Sequence, residues 1–374
     1  MALMKFKDIT INLDNRRKPL NSSDRNNISI KKLYPYCGAN NIMDYVDEYL
    51  FDEEILCIAE DGGKWGNNEI CSYIMNEKCW VNNHAHVIKP KEMVDIRYLK
   101  YWLNYTDLNS KITGAIVRKL TQKELNELEI EIPDKEVQII IANKLDKVQE
   151  IMDIRTKQIE DLDNLIKSQF VEMFGSVELN DKNFEEQELS SIAEISSSKR
   201  IYANEYKENG IPFYRSKEII ELGHNKKPSI ELFISDKRYE EIKDKYGIPK
   251  KGDILITAVG TIGETWIVDT DEPFYYKDGN VLQIRLKTDI AQIYFKYVLD
   301  ILISIFKNKN VSGSAYSALT IEKFKKMKII LPPIELQNQF VDFVHQVDKS
   351  KVAVQKALDE TQILFDSLMQ KYFG

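Results

Sequence analysis

The sequence predicts an α+β fold: two globular domains in a pseudo-two-fold repeat, separated by two long helices that form an antiparallel coiled coil. Three observations lead to this prediction. The 374-residue chain repeats itself at a fixed offset of 199 residues, short β-like runs fill two stretches, and heptad-spaced apolar residues fill two others. A chain of this length can bury more than one hydrophobic core, so two similar domains are expected.

The repeat runs without a gap from residue 120 to the end of the chain when residue 120 is placed over residue 319. The same offset also aligns two upstream stretches, 55–59 with 254–258, and Gly114 with Gly313. The matched pairs downstream include Leu120 and Leu319, Thr121 and Thr320, Pro133 and Pro332, Gln138 and Gln337, Ser168 and Ser367, and Phe174 and Phe373. Two similar units on one chain suit a target that itself has two parts.

The chain alternates between globular and helical segments. Runs such as 54–59 and 81–88 are typical of strands, and Gly, Asn and Asp break them. We predict four segments: residues 1–131 as the first globular domain, 132–175 as a central helical spacer, 176–330 as the second globular domain and 331–374 as a C-terminal helical spacer.

Each helical segment carries an apolar seam with spacings of three and four residues. Arg155, Lys351 and Thr361 interrupt the seam. A helix of about 35 residues would be roughly 50 Å long and would need a partner. We expect the two helices to pair, the alternative being that each packs on its own globular domain. Because a globular domain lies between them in the chain, an antiparallel pair would place the two domains at opposite ends. The predicted seam residues are Ile141, Leu145, Val148, Met152, Ile159, Leu162, Ile166, Phe340, Val344, Val347, Val354, Leu358 and Phe365.

Composition narrows the class of protein. The four cysteines all lie in the first half, so a disulfide framework is not expected. The start of the chain does not resemble a signal peptide, and no run approaches a membrane span. We therefore expect a cytoplasmic protein without membrane contact. His84 and His86 have no counterparts in the second domain, and no metal site is expected.

The net charge of −7 favours only modest DNA binding by the chain alone, because binding to phosphates relies on Lys and Arg. The acid excess lies mainly in the helical segments, where residues 132–175 carry 6 basic and 9 acidic side chains and residues 331–374 carry 4 and 6. The globular segments are close to neutral, so basic residues clustered on one face could still bind DNA.

One order of features occurs twice in the sequence. It consists of a strand, a glycine-rich turn, a loop of small polar residues, a strand end with Ile or Leu before Pro, and a helix start with the pattern Glu-x-Gln. The loops read TGAIVR at 113–118 and SGSAYS at 312–317, and the second exit reads IILPPIELQ at 329–337. This arrangement resembles the specificity subunit, HsdS, of type I restriction–modification systems over essentially the whole chain. The first exit, IEIPDKEVQ at 130–138, departs from the pattern by having Asp134 where the second has Pro333.

The resemblance implies that each globular domain reads one half of a bipartite, asymmetric site in double-stranded DNA, and that the helices set the gap between the halves. It also implies that the helices dock adenine-N6 DNA methyltransferase subunits, expected in two copies, with or without restriction subunits. No cofactor is expected on this chain: S-adenosylmethionine, and ATP with Mg²⁺ where restriction subunits are present, would belong to the partner subunits.

The sequence gives no sign of catalysis by this chain. Its one Pro-Pro pair, Pro332-Pro333, lacks the polar residue before it and the aromatic residue after it that an adenine methyltransferase motif needs. No glycine-rich loop ending in Gly-Lys-Ser/Thr is present for ATP. We expect a non-catalytic DNA-binding subunit.

We predict DNA contacts from basic, amide and aromatic residues in turn-rich stretches, because Arg suits guanine and Asn suits adenine. The bland alternative for each is a solvated loop residue. In the first domain the candidates are Arg16, Arg17, Lys18, Lys64, Trp65, Asn67, Asn68, Asn82, Asn83 and Arg118. In the second they are Lys199, Arg200, Arg215, Lys217, Lys226, Lys227, Thr261, Ser314 and Tyr316.

Two other functions stay open from the sequence. The chain could serve a methyltransferase-only system or a fused methyltransferase–nuclease. It could also be a coiled-coil scaffold that joins two proteins without binding DNA.

Overall fold

The computed structural model describes residues 2–310 and 320–374, with the backbone alone at residue 310. The chain divides into two compact units. Unit 1 comprises Met1–Gln158 together with Val354–Gly374, and unit 2 comprises Ile159–Ala353. Two long helices, α5 (Lys135–Phe174) and α11 (Ile334–Phe373), each contribute residues to both units.

In its described residues, unit 1 contains three small sheets and four further helices. Its strands are β1 (Ala2–Lys5), β2 (Thr10–Asn12), β3 (Tyr34–Cys37), β4 (Ile42–Val46), β5 (Ile55–Ala59), β6 (Ser72–Met75), β7 (Trp80–Val81), β8 (Ala85–Pro90) and β9 (Glu129–Ile132). Its helices are α1 (Phe6–Ile9), α2 (Ser22–Asn27), α3 (Ile96–Tyr105) and α4 (Gln122–Asn126), with 3₁₀ turns at Asp14–Arg16 and Asn109–Lys111. The strand orders are β1-β9, β2-β8-β5-β6 and β4-β3-β7.

Unit 2 repeats these sheets strand for strand. Its strands are β10 (Glu185–Glu188), β11 (Ala193–Ser197), β12 (Ile211–Tyr214), β13 (Phe233–Ile234), β14 (Ile254–Thr257), β15 (Thr265–Ile267), β16 (Tyr275–Tyr276), β17 (Val281–Leu286) and β18 (Lys328–Leu331). Its helices are α6 (Leu189–Ile192), α7 (Ser216–Gly223), α8 (Asp236–Tyr246), α9 (Gln292–Asn310) and α10 (Ile321–Lys325), with a 3₁₀ turn at Ala203–Glu205. The orders β10-β18, β11-β17-β14-β15 and β13-β12-β16 match unit 1. The prediction of an α+β fold with two domains in a repeat is confirmed.

Pairing directions repeat as well as strand orders. β3 pairs in parallel with β7, β12 pairs in parallel with β16, and every other ladder between these strands is antiparallel. The central strands β5 and β14 consist entirely of buried residues, which is what a continuous apolar run predicts for a strand covered on both faces.

Each unit has a core to which the long helices contribute. In unit 1, Leu145 of α5 and Met369 of α11 pack with Leu56 and Tyr98. In unit 2, Phe170 of α5 lies 5.4 Å from Phe340 of α11, measured between ring centroids. Side-chain packing on these cores explains why both helices are stable over 40 residues, slightly longer than expected.

The predicted seam divides into buried ends and a less buried middle. Seven positions are below a tenth exposed: Ile141, Leu145, Val148, Ile166, Phe340, Val344 and Val347. The other six, Met152, Ile159, Leu162, Val354, Leu358 and Phe365, are half-buried. All of these buried positions except Val148 belong to the cores of the globular units. The alternative, that each helix packs on a globular unit, therefore describes this part of the seam.

Within each unit the two long helices contact each other, and sequence numbers fall along α11 as they rise along α5. In unit 1, Lys144 Nζ lies 3.4 Å from Tyr372 Oη, and Arg155 donates hydrogen bonds to the carbonyl of Ala357 and the hydroxyl of Thr361. In unit 2, Lys351 Nζ lies 2.5 Å from Asp163 Oδ1. The polar residues that interrupt the apolar seam therefore have polar partners on the other helix.

Within residues 2–310 and 320–374, no helix combines the length and the apolar character that a membrane span needs.

Candidate nucleic-acid interface

The predicted cationic residues at the start of unit 1 are held by carboxylates. Arg16 Nη1 lies 2.6 Å from Glu53 Oε1, and the Arg16 guanidinium stacks 4.6 Å from the centroid of the Phe51 ring. Arg17 Nη1 donates to Glu60 and to the carbonyl of Ala85, both at 2.7 Å. The Arg17 side chain is only 13% exposed, so burial argues against direct contact with DNA.

Lys18 and three residues of the glycine-rich turn are exposed. Lys18 Nζ lies 5.8 Å from the Trp80 ring. Lys64 is exposed, and Asn67, also exposed, donates to the carbonyl of Tyr105 at 2.7 Å. Exposed Asn68 adopts a left-handed backbone with φ of 60°, a conformation that Asn tolerates better than most residues. This turn therefore presents one lysine and two asparagines to solvent.

Two predicted residues of unit 1 are structural in this conformation. Trp65 is 3% exposed and its indole N–H donates to the carbonyl of Ala59 at 3.3 Å. Asn82 is also 3% exposed, and its Oδ1 accepts from the amide of His84 at 2.8 Å. The neighbouring Asn83 is exposed. Burial argues against DNA contact by Trp65 and Asn82, whereas Asn83 remains accessible.

His86 is buried and bonded on both sides of its ring. Its Nδ1 lies 2.6 Å from Asp14 Oδ2, and its Nε2 lies 2.7 Å from the carbonyl oxygen of Leu120. Burial raises the pKa of Asp14, but the hydrogen bond and charge of His86, with the amide of Val87, outweigh it and leave that pKa below its usual value. This contact ties the end of the 113–120 loop to the central sheet. No cluster of potential metal ligands was found among the described residues.

The loop at 113–119 is a short hairpin that presents Arg118. Thr113 and Lys119 exchange two backbone hydrogen bonds of 2.8 Å, and Gly114 takes a positive φ of 93° that an L-residue rarely adopts. Arg118 is exposed, and its Nη2 donates to Asn109 Oδ1 at 2.7 Å. The hairpin keeps a cation at the surface of unit 1.

In unit 2, Arg215 and Lys217 converge on acidic side chains. Arg215 Nη2 lies 2.8 Å from both Glu218 and Glu231, and Lys217 Nζ lies 2.8 Å from Glu231. Hydrogen bonds from Lys217 and Arg215 lower the pKa of Glu231 to about 2. Because Glu218 is 1% exposed, Arg215 neutralises a buried carboxylate and has a structural role.

Four more predicted residues of unit 2 lie on exposed loops. Lys226 and Lys227 are exposed, and Lys199 Nζ lies 5.1 Å from the Tyr246 ring. Thr261 is exposed in the turn after β14, where its carbonyl accepts from Thr257 Oγ1 at 2.5 Å. Ser314 and Tyr316 lie outside the described residues.

Arg200 differs from the other predicted arginines. Its Nε donates to Asp278 Oδ2 at 2.7 Å, and its side chain is 64% exposed. Sequence reasoning missed Asp278, although its Asp-Gly dipeptide at 278–279 is a typical turn signal. The carboxylates of Glu60, Glu218 and Asp278 determine how far the predicted arginines remain accessible to DNA. Each of these carboxylates is either distant in the sequence from its arginine or buried, and residue type alone does not reveal either property.

Comparison with known proteins identifies the family. The model of the type I restriction modification DNA specificity domain matches residues 2–164 and 181–361. The first match contains β1 to β9 and the second β10 to β18. The chain belongs to the type I restriction modification DNA specificity family. Its two matches within this family coincide with the two sets of repeated sheets.

Two curated members of the specificity family align with most of the chain. A putative type I restriction enzyme specificity subunit from Haemophilus influenzae, S.HindORF215P, is 33% identical over 342 residues, covering 90% of this chain and 84% of that protein. The EcoBI specificity subunit of Escherichia coli is 22% identical over 315 residues, covering 71% of this chain and 62% of that protein.

Two solved structures from work on type I restriction-modification systems share the fold. The S subunit of a type I restriction-modification system from M. genitalium superposes with a TM-score of 0.61 at 16% identity, covering 100% of this chain and 96% of that one. A second structure, from work on complex assembly and conformational transition of a type I R-M system, gives a TM-score of 0.57 at 16% identity, covering 100% and 97%.

Proposed function

We propose that this chain is the DNA sequence-recognition subunit of a type I restriction–modification complex. The observation that carries the proposal is the repeat: each unit has the same three sheets in the same order, and each coincides with one match to the DNA specificity domain. Two similar reading units on one chain fit a bipartite DNA site. Because the loops of the two units differ in sequence, the two half-sites are expected to differ.

Base reading is assigned to exposed polar and cationic residues of the loops. In unit 1 the accessible candidates are Lys18, Lys64, Asn67, Asn68, Asn83 and Arg118. In unit 2 they are Lys199, Arg200, Lys226, Lys227 and Thr261. Sequence is read by hydrogen bonds to base edges, whereas phosphate contacts fix only register and orientation. The buried Trp65 and Asn82 and the carboxylate-bound Arg17 and Arg215 would act by shaping the loops.

The spacer role is assigned to α5 and α11 as an antiparallel coiled coil that sets the gap between the half-sites. Its support is the opposite sequence order of the contacts within each unit. In unit 1 these are Lys144 with Tyr372 and Arg155 with Thr361, and in unit 2 they are Asp163 with Lys351 and Phe170 with Phe340. Polar residues at seam positions specify register and orientation in coiled coils. We assign the boundaries of the target-recognition domains to residues 1–131 and 176–330.

Chemistry is assigned to partner subunits. Adenine-N6 methyltransferase subunits, in two copies, would dock on the helices, and restriction subunits would complete the complex where they exist. A methyltransferase-only or fused methyltransferase–nuclease system would use this chain in the same way. The repeat of DNA specificity domains does not support the alternative of a protein scaffold.

The deciding experiment is co-expression of the full chain with a modification subunit from the same genome, followed by single-molecule mapping of N6-methyladenine. We expect a bipartite methylated motif that is lost when this chain is deleted. A complex that purifies intact and methylates no motif would support the scaffold alternative instead.

A further inference from the structure

A cleft of about 420 Å³ in unit 2 brings a predicted DNA-binding arginine next to an unpredicted carboxylate. The cleft lies between residues 200–206 and the turn that joins β16 to β17. Its lining includes Arg200, Tyr202, Tyr206, Lys277, Asp278 and Asn280. Cationic, aromatic and amide side chains thus share one opening, a composition suited to a nucleobase edge.

Asp278 is a fixed point of this cleft. Its side chain is 11% exposed, and its Oδ2 accepts from Arg200 Nε at 2.7 Å. Lys277 Nζ lies 3.6 Å from the other carboxylate oxygen. A carboxylate with little access to solvent is stabilised by a charged donor, so Asp278 holds the Arg200 guanidinium in one orientation.

The turn that carries Asp278 is anchored at several points. The amide of Gly279 donates to Ser197 Oγ of β11 at 3.1 Å, and the amide of Lys277 donates to the carbonyl of Tyr214 of β12 at 2.8 Å. The carbonyl of Asn280 accepts from Ala258 at 2.7 Å. Gly279 has a φ of 70°, which favours glycine at this position. Bonds to separate strands make the turn a rigid support for Asp278.

Arg200 presents the free edge of its guanidinium to solvent. Of the five arginines predicted to contact DNA, Arg16, Arg17, Arg118 and Arg215 each donate at least one Nη group to a carboxylate, carbonyl or amide oxygen. Arg200 uses only Nε, and both of its Nη groups lack a hydrogen-bond partner within the described part of the chain. Its 64% exposure leaves these two donors accessible to a ligand.

Two parallel N–H donors match the O6 and N7 acceptors of guanine, the commonest specific contact made by arginine in the major groove. A phosphate could also accept from them. However, Asp278 offsets the charge of Arg200 and weakens a purely electrostatic attraction, while it sharpens the direction of the two free donors. A guanidinium already held in position also loses less conformational entropy on binding.

We propose that Arg200, oriented by Asp278, reads a guanine in the half-site recognised by unit 2. Arg200 is the specificity-determining residue and Asp278 is its positioning residue. The inference rests on the proposed function and adds to it one base pair, one reading side chain and one supporting contact.

The test compares methylation motifs of the full chain, assembled with its modification subunit, for the wild type, Arg200→Lys and Asp278→Asn. Arg200→Lys keeps the charge and removes the two-donor fork. We expect a required G·C pair in the unit 2 half-site of the wild type. In Arg200→Lys, discrimination at that pair should fall roughly 5- to 150-fold while the other positions stay unchanged.

Asp278→Asn should relax the same position to a smaller extent, because the arginine remains but its orientation is no longer enforced by a charge. The matched control is Lys243→Ala, which removes an exposed α8 cation that pairs with Glu240. The control should leave the motif unchanged. Thermal unfolding of each variant shows whether Asp278→Asn causes a folding defect or changes the recognition of the base. Arg200→Lys tests the proposal independently of that result.

Three results would overturn the inference. They are a unit 2 half-site without a G·C pair, an unchanged motif in Arg200→Lys, and an equal loss of methylation whichever base pair stands at that position, which marks a phosphate contact. If the wild type itself yields no bipartite motif, the proposed function fails and this inference fails with it. A wild-type motif that Arg200→Lys preserves would reject the inference alone.

Discussion

The side chain of Gln337 accepts a hydrogen bond from the backbone amide of Ala291 at 3.0 Å. Its amide nitrogen donates at 2.8 Å to the carbonyl of Pro332, and the side chain is 2% exposed. This residue thereby ties the first turn of α11 both to the start of α9 and to the strand exit before it. The second polar position of the Glu-x-Gln pattern is therefore a buried clamp.

Gln138 makes the corresponding contacts in unit 1. It accepts from the amide of Asp95 at 2.9 Å and donates to the carbonyl of Pro133 at 2.8 Å. Gln138 and Gln337 are 199 residues apart, whereas Asp95 and Ala291 are 196 apart. The same clamp is conserved between the two units although the alignment offset changes by three residues.

Replacing Gln337 with Leu should destabilise unit 2 by about 1–3 kcal/mol, because the backbone amide of Ala291 would lose its acceptor. The measurement is the free energy of unfolding from urea denaturation. Gln339→Ala, at an exposed position of the same helix, is the control and should change stability little. Equal stability of Gln337→Leu and the wild type would show that the clamp does not hold the helix start.

The repeat itself could be predicted from the sequence because its signals are local. Strand exits, proline and the helix start recur at one offset, and apolar spacing indicates both long helices. The two glutamine clamps were not predictable from the sequence. Gln138 contacts Asp95, which is 43 residues away, and a gapless alignment hides that Asp95 and Ala291 are related by an offset of 196 residues and not 199.

The candidate site was less accessible to sequence reasoning than the fold. Arg17 and Trp65 were chosen by residue type, yet Glu60 holds the first and the carbonyl of Ala59 binds the second. Whether a loop side chain is free depends on distant carboxylates and on packing against α3. These are tertiary relationships that periodicity does not encode.

The contact between Asp14 and His86 predicts acid sensitivity in unit 1. Since the folded-state pKa of Asp14 is lowered, its contribution to stability is present above the ordinary carboxyl value of 3.8 and is lost as pH falls through the lower folded value. Asp14→Asn should reduce stability at pH 7 by roughly 1.5–3 kcal/mol and flatten the dependence below pH about 4.

Circular dichroism melting between pH 2.5 and 7 would measure this effect. Asp8→Asn is the matched control, because Asp8 is exposed and the structure records no ion pair from its carboxylate among the described residues. Parallel pH profiles for Asp14→Asn and the wild type would contradict the assigned coupling.

The ion pair of Asp163 and Lys351 predicts charge coupling between the long helices within unit 2. The side chains are 47% and 28% exposed, so the pair is expected to contribute only about 0.2–1 kcal/mol. Asp163→Lys and Lys351→Asp should each lower the free energy of unfolding, and the double exchange should recover most of the loss. A double-mutant cycle in low salt measures the coupling.

Glu360→Lys provides the control for this exchange. Glu360 is exposed and pairs with Lys356 on the same helix, at 4.0 Å. Reversing its charge should show no coupling to Asp163. A coupling energy near zero between Asp163 and Lys351 would remove one of the contacts that support the antiparallel pairing.

The spacer role predicts that the length of the paired helices determines the gap in the methylated motif. A heptad inserted in α5 after Val148 must be matched in α11 between Thr361 and Tyr372, because Arg155 contacts Thr361 and Lys144 contacts Tyr372. Seven residues add about 10 Å of helix. At about 3.4 Å per base pair, the non-specific gap should then grow by roughly three pairs.

An insertion of seven residues preserves the apolar seam of the helices. Because a longer gap also changes how the two half-sites face each other around the DNA helix, the new motif should be sought genome-wide by methylation mapping and not on one designed site. The single-helix insertion is the control: it breaks the register of the pair and should abolish methylation or destabilise unit 1. If the doubly inserted chain folds, methylates DNA and keeps the original gap, the helices do not determine the spacing of the half-sites.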